Sequence, residues 1–404
     1  MSGKRRVDWM AFAVGICVGM IVWLFSHETS YRLGKDRGAE LPEVRRAQSP
    51  STLTGAAEAP PVVAASAAGV RESGRETGRS KAPATAAGGT AGSNNTESSK
   101  VSKDAMALLD RLKIKVYLAD KREVETVTLE QYVRGVVAAE LPLAFEPAAM
   151  EAQALAARTY IVRRLVLEDR TGIPETGTAS EADVTDTVTH QVYKSLKEMA
   201  ELKESDREGW SKVDRAVERT KGRIIVYEGE PIQALFFASS NGHTENSEEV
   251  FPMKLPYLRS VDSPWDRTEA SNWEVKSTLG LTEFYKKMGV GSVEAAANPS
   301  GKSLVRILDW TTGGRVKDLL VGDERVSGEE AREKLGLRSA AFSLKQDKQG
   351  VHVTTYGSGH GVGMSQWGAE GMAKQGKGAE EIIKYYYKGV QLAGASEWLR
   401  KLPL

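Results

Sequence analysis

The chain has 404 residues, room for two or three domains of about 150 residues each. Its 55 Lys and Arg against 54 Asp and Glu leave a net charge of +1, which excludes a nucleic-acid binder working through bulk positive charge. The single cysteine, Cys17, excludes an internal disulfide, a CxxC redox pair, an iron–sulfur cluster and a multi-thiolate zinc site, while an apolar share of 41% suits an ordinary globular core.

Residues 9–25 (WMAFAVGICVGMIVWLF) contain no charged or strongly polar side chain. A helix of this length reaches ~26 Å, slightly short of a ~30 Å hydrocarbon core. Trp9 and Trp23 stand near its ends, where indole rings favour the membrane interface. Lys4, Arg5 and Arg6 precede it, and no small-x-small cleavage site follows at once. The run is also longer than most signal-peptide cores, so it reads as an uncleaved single-pass anchor rather than a signal peptide. The preceding positive charges then put residues 1–8 in the cytoplasm and everything after residue 25 outside. Residues 26–105 are dominated by Ala, Gly, Ser, Thr, Pro, Glu and Arg, with Tyr31 the only aromatic side chain. Such a stretch cannot bury enough apolar surface to offset its ordering entropy, and it reads as a disordered tether.

From residue 106 the pattern is that of a folded region extending to about residue 395. Residues 113–118 (KIKVYL) and 124–129 (VETVTL) read as strands. Thr128 with Gln131 then reads as a capping box opening a helix that must end near Leu141, because Pro142 follows. Pro147 suits a first helical position, and the alanine-rich PAAMEAQALAARTYIVRRLVLE reads as one long helix. Further strands are predicted at 223–227, 232–238, 304–310, 315–321 and 351–356. Further helices are predicted at 212–220, 282–288, 329–335, 365–375 and 379–387. Helices and strands do not alternate regularly, so the class is α+β, a mixed region offering a substrate groove.

The chemistry-bearing candidates are few. The five histidines (His27, His190, His243, His352, His360) form no HExxH or HxH, and no metal site or cofactor is expected. Glu140 follows Val136 by four residues and Val137 by three, which places it on the apolar face of its helix and in the last turn, near the negative end of the dipole. Both surroundings favour the protonated form, and a carboxyl group kept neutral can donate to a leaving oxygen. The bland alternative is a helix-end glutamate turned to water. Arg158, flanked by Leu155 and Val162, needs a carboxylate or carbonyl partner. It either orients Glu140 or binds substrate oxygens, or it forms a structural ion pair. Residues 238–245 (ASSNGHTE) form either a donor-rich cleft loop or a plain polar turn. His190 reads as a hydrogen-bonded core histidine. Residues 356–373 (YGSGHGVGMSQWGAEGMA) carry alternate glycines at 357, 359, 361 and 363, which permit unusual dihedrals and close approach by a ligand or a second backbone. His360, Gln366 and Trp367 there offer a polar handle and a stacking face for a sugar ring. Ser365 reads as the N-cap of the helix that follows. A phosphate loop is disfavoured, because no GK[ST] is present.

Taken together, VRGVVAAELPLAFEPAAMEAQALAARTYIVRR, DVTDTVTHQVY, LFFASSNGHTENSEEVF with PYLRSVDSPWD, and YGSGHGVGMSQWGAEGMA before a YYYKG helix resemble the stage II sporulation protein D family, in the family's order and over about residues 110 to 392. The resemblance implies a lytic transglycosylase that cuts peptidoglycan glycan strands between N-acetylmuramic acid and N-acetylglucosamine during forespore engulfment, preferring strands stripped of stem peptides. It implies that Glu140 is the catalytic acid and that Arg158, Tyr160, Ser239, Ser240, Gly242, His360 and Gln366 are cleft or substrate-binding residues. It implies as partners a membrane-anchored amidase and a scaffold, the stage II sporulation proteins P and M. The expected location is the mother-cell membrane, facing the intermembrane space. Some members hold zinc through cysteines near the segment corresponding to His190; this chain has none there, so no such site is expected. The family also contains amidase enhancers, so a non-catalytic wall-binding protein that stimulates an amidase is the competing expectation.

Overall fold

Alternation in KIKVYL builds the first sheet. The computed structural model describes residues 109–290 and 305–400; the expected tail, anchor and tether lie outside them. Strand β1 (Lys113–Leu118) buries Ile114, Val116 and Leu118 and turns its lysines outward. It pairs antiparallel with β2 (Glu123–Thr128), Lys113 opposite Thr128, and parallel with the short β3 (Val184–Thr185). Leu129, expected to close the second strand, instead opens helix α1 (Leu129–Glu140). Thr128 caps it: its Oγ1 accepts from the Gln131 N–H at 3.3 Å, and Gln131 Oε1 accepts from the Thr128 N–H at 2.9 Å.

Helix α2 (Pro147–Val166) begins on its proline as expected, and the N–H of Glu146 before it donates to Glu370 Oε2 at 2.7 Å. Ala149, Ala152, Ala154, Ala156 and Ala157 are all buried, which lets neighbours approach α2 closely. These include α1, α4 (Arg207–Arg219, entered from α3, Leu196–Ser205) and strand β4 (Arg223–Tyr227). Strand β4 lies between β5 (Glu230–Pro231) and the late β14 (Gln391–Gly394).

The strand expected at 232–238 shrinks to β6 (Phe236–Phe237), parallel to β13 (Met364–Ser365). Side chains take the backbone groups a longer ladder would need. The Gln233 N–H donates to the Tyr257 hydroxyl at 3.0 Å, and the Leu235 carbonyl accepts from the Tyr387 hydroxyl at 2.8 Å. Strand β13 runs straight into α7 (Gln366–Lys374), whose N-cap is Ser365, and α8 (Ala379–Tyr386) follows. Both helices pack on α2.

Between residues 274 and 356 the chain builds a second apolar cluster, including Phe284, Leu319, Phe342 and Val353. Here β7 (Glu274–Leu279), β12 (Val351–Tyr356) and β11 (Phe342–Gln346) form one sheet with β12 central. Strands β8 (Val305–Trp310), β9 (Val316–Val321) and β10 (Glu324–Ser327) form another with β9 central. Helices α5 (Leu281–Met288) and α6 (Gly328–Leu335) cover them. The mixed α+β class expected from the sequence is what the structure has. Strands β7, β10, β11 and β14 and helix α3 lie outside the elements predicted from the sequence, although Phe342 and Leu344 alternate in β11 and Ser195 with Glu198 forms a capping box at the start of α3.

Candidate active site

Glu140 ends α1, and its side chain enters a cavity of about 210 Å³. Its Oε1 accepts from the Val192 N–H at 3.1 Å, and its Oε2 accepts from Gln366 Nε2 at 3.0 Å. Burial pushes its pKa up to about 7, against the pull of those two hydrogen bonds toward the charged form. Burial thus favours the neutral acid even though both oxygens are held by hydrogen-bond donors. Asp169, the other carboxylate at the cavity, behaves in the opposite way. Burial alone would raise it, but the N–H and hydroxyl of Thr171 and the Arg164 guanidinium hold it below the usual range.

The cavity has a polar end and an apolar wall. At the polar end Arg164 donates from Nε to the Asp183 carbonyl at 2.9 Å and from Nη2 to the Thr171 carbonyl at 2.6 Å, and its Nη1 lies 3.3 Å from Asp169 Oδ2. His190 accepts the Thr185 N–H at Nδ1 (3.1 Å) and donates from Nε2 to the Thr171 carbonyl (3.0 Å), which fixes one neutral tautomer. Burial and the Arg164 charge push its pKa down to about 4. Tyr160 faces the same end, its hydroxyl pushed up to about 12 by burial. Val188, Val192, Leu235, Phe236 and Phe251 supply apolar wall.

Tyr160, His360 and Gln366 line the cavity with Glu140. His360 is not a free base, however. Its Nδ1 accepts the Val362 N–H at 3.1 Å, and its Nε2 donates to the Phe236 carbonyl at 3.0 Å. Burial, with the charges of Arg332 and Arg315, pushes its pKa down to about 3. It ties the glycine-rich segment to β6 as a neutral ring.

Arg158 does not line the cavity. Fully buried, it pairs with Glu130 (Nη2–Oε2 2.6 Å, Nε–Oε1 3.0 Å) and donates further to Thr220 and to the carbonyls of Val217 and Arg223. The structural ion pair is the alternative realised, because α4 and β4 close over the guanidinium. Ser239, Ser240 and Gly242 also stand outside the cavity lining. Ser239 exchanges backbone bonds with Ser358, while Ser240 donates to the buried Asp266 from its N–H (2.8 Å) and hydroxyl (2.9 Å). Gly242 donates its N–H to Ser240 Oγ at 3.1 Å. Trp367 packs edge-on against Phe145 at 4.8 Å rather than offering a face to the cavity.

The alternate glycines accept protein atoms rather than a ligand. A Cβ on Gly363 (φ +84°) would lie 2.0 Å from the Leu235 carbonyl oxygen, and one on Gly361 (φ +89°) would lie 2.4 Å from Arg315 Nε. Arg164, Gln191 and Gln233 line the cavity without having been singled out from the sequence. Arg164 follows Tyr160 by one helical turn, which is the signal that could have found it. Gln191 and Gln233 lie on irregular backbone, where no periodicity points. Among the described residues no three His, Cys, Asp or Glu side chains converge as metal ligands would.

Comparison with known proteins agrees with this arrangement of motifs. The family model described as Stage II sporulation protein matches residues 117–227. Stage II sporulation protein D of Bacillus subtilis (strain 168) is 43% identical over 293 residues, 71% of this chain and 81% of that protein. The protein of the same name from Bacillus amyloliquefaciens is 42% identical over 289 residues, 71% of this chain and 80% of that one. The Amidase enhancer of Bacillus subtilis (strain 168) is 27% identical over 308 residues, 64% of this chain and 40% of its own length. The chain belongs to the stage II sporulation protein D family, a family of sporulation proteins.

Proposed function

We propose that the protein is a peptidoglycan lytic transglycosylase, with Glu140 as the single group that first gives and then takes a proton. The observation that carries this reading is Glu140 itself: a buried carboxyl group at the cavity, held by Val192 and Gln366, with a pKa of about 7. Protonated Glu140 donates to the glycosidic oxygen as the C1–O bond of N-acetylmuramic acid breaks through an oxocarbenium-like state, releasing the 4-hydroxyl of the departing sugar. The resulting carboxylate takes the proton of the C6 hydroxyl, whose oxygen closes on C1 to give the 1,6-anhydro end. The proton returns to where it began, and no second acid is required. Gln366 and the Val192 N–H hold the carboxyl group in place, and both stabilise its charged form midway through the cycle.

In this reading the substrate is the glycan of the cell wall during forespore engulfment, preferably stripped of peptides. An amidase that strips it and a scaffold, the stage II sporulation proteins P and M, are the partners. The site faces the intermembrane space from a membrane-anchored chain. A second reading is favoured by the relative named Amidase enhancer: a wall-binding protein that stimulates an amidase without cutting glycan itself.

Incubating the full-length protein with peptide-free strands and weighing the products separates the two. Anhydro ends support the lyase, unchanged but bound strands support the enhancer, and reducing ends mean hydrolysis. Glu140→Gln and Glu140→Ala are expected to bind strands yet cut them at least ~10²-fold more slowly, the lower end of what proton transfer contributes. Undiminished release of anhydro products by either variant would defeat the proposal.

A further inference from the structure

We propose that Gln191 reads the acetamido carbonyl of a substrate sugar, so that the site selects N-acetylated over de-N-acetylated glycan. This rests on the glycan reading above and adds to it a specificity-determining residue.

Gln191 lines the same cavity as Glu140 and is 2% exposed. The Tyr132 hydroxyl donates to its Oε1 at 3.0 Å, while its Nε2 has no hydrogen-bond partner. A buried donor left without an acceptor is rare in a folded protein and costs stability, so its retention at a cavity wall asks for an acceptor supplied from outside the chain. Its neighbour Val192 supplies the N–H that holds Glu140 Oε1 at 3.1 Å, so consecutive residues carry the orphan donor and the anchor of the reacting carboxyl group. A ligand that places its acceptor at Gln191 is thereby held in register with Glu140.

The surroundings define the acceptor. Val188, Val192, Leu235 and Phe236 contribute apolar lining to the same cavity. An amide NH2 left without an acceptor in a cavity with apolar lining suits a carbonyl oxygen carried next to a methyl group, which is the composition of an acetamido substituent. The ammonium left by de-N-acetylation offers only donors and would meet Nε2 donor against donor. The terminal torsion of glutamine is broad, so the amide can turn toward an arriving oxygen, its Oε1 loosening from Tyr132 as Nε2 gains a partner.

The test is a binding cycle on the full-length protein carrying Glu140→Gln, so that strands are held and not consumed. Peptide-free glycan strands, native or chemically de-N-acetylated, are titrated against this parent, against the parent with Gln191→Met, and against the parent with Gln191→Glu. De-N-acetylation is expected to weaken binding to the parent ~10-fold more than to the Gln191→Met protein, the size of one well-made hydrogen bond. Gln191→Glu keeps the acceptor for Tyr132 and replaces only the donor, and should shift preference toward the de-N-acetylated strands. Each comparison is a ratio within one protein, so a general loss of stability cancels. If Gln191→Met does not fold, Gln191→Glu carries the test alone. Equal discrimination by all three proteins overturns the role of Gln191 and leaves the glycan reading standing. Failure of the parent to bind native strands overturns both.

Discussion

Glu140 gains its chemistry from a conflict between burial, which favours the neutral acid, and two hydrogen bonds, which favour the carboxylate. Gln366 is the adjustable half of that balance, because its bond is made by a side chain and not by the backbone. Gln366→Leu removes a donor to the charged form and raises the pKa above about 7. A general acid must start protonated, so cleavage falls as pH rises through this pKa. The alkaline limb of the pH–rate profile should therefore move to higher pH in Gln366→Leu, with a lower rate at the optimum from looser positioning. A limb that stays in place or moves to lower pH would show that Gln366 does not tune this group.

Among the elements, α1 is held from both ends by different logic. Its first turn is fixed by the buried Glu130–Arg158 pair, which draws α1, α2, the end of α4 and β4 together. Its last residue meets the start of α7, 226 positions later, through Gln366. Removing one partner of a buried ion pair leaves the other charge stranded, whereas removing both can be close to neutral. Arg158→Met is therefore expected to cost about 3–5 kcal/mol in denaturant unfolding, and Arg158→Met with Glu130→Leu to recover most of it. The double variant should keep the KM of the parent, because neither residue lines the cavity. A raised KM with unchanged stability would return Arg158 to the substrate.

At the scale of the molecule, two apolar clusters divide the labour. The residues at the cavity belong to the part of the chain around the first cluster, and no member of the second cluster lines it. The second cluster is joined to the site by Arg315, whose Nη1 donates to the Gly359 carbonyl at 3.0 Å and whose guanidinium faces the buried Glu245. Leu319→Ala, at a fully buried position of the second cluster, is expected to cost ~2–5 kcal/mol of stability. Cleavage, measured below the unfolding transition, should be unchanged. A large fall in rate for a folded Leu319→Ala protein would mean that the second cluster shapes the cavity after all.

Local rules made much of this legible in advance. The capping box at Thr128, the proline start of α2 and the apolar face that Glu140 shares with Val136 and Val137 all depend on residues within one or two turns of each other. Such interactions are written in the sequence itself. The ambiguity at Arg158 and at residues 238–245 could not be resolved locally, because a guanidinium or a hydroxyl serves a substrate or a buried carboxylate equally well until its partner is known. Only folding supplied Glu130 for Arg158 and Asp266 for Ser240. The same holds for the glycines, whose neighbours turned out to be Leu235 and Arg315. Chain order placed Glu140 on the apolar face of α1 and made it a candidate acid, with a water-facing glutamate as the alternative. Folding supplied Val192 and Gln366 as the partners of its carboxyl group and brought Gln191 to the same cavity, because hydrogen-bond partners brought together across tens or hundreds of residues leave no periodicity to read.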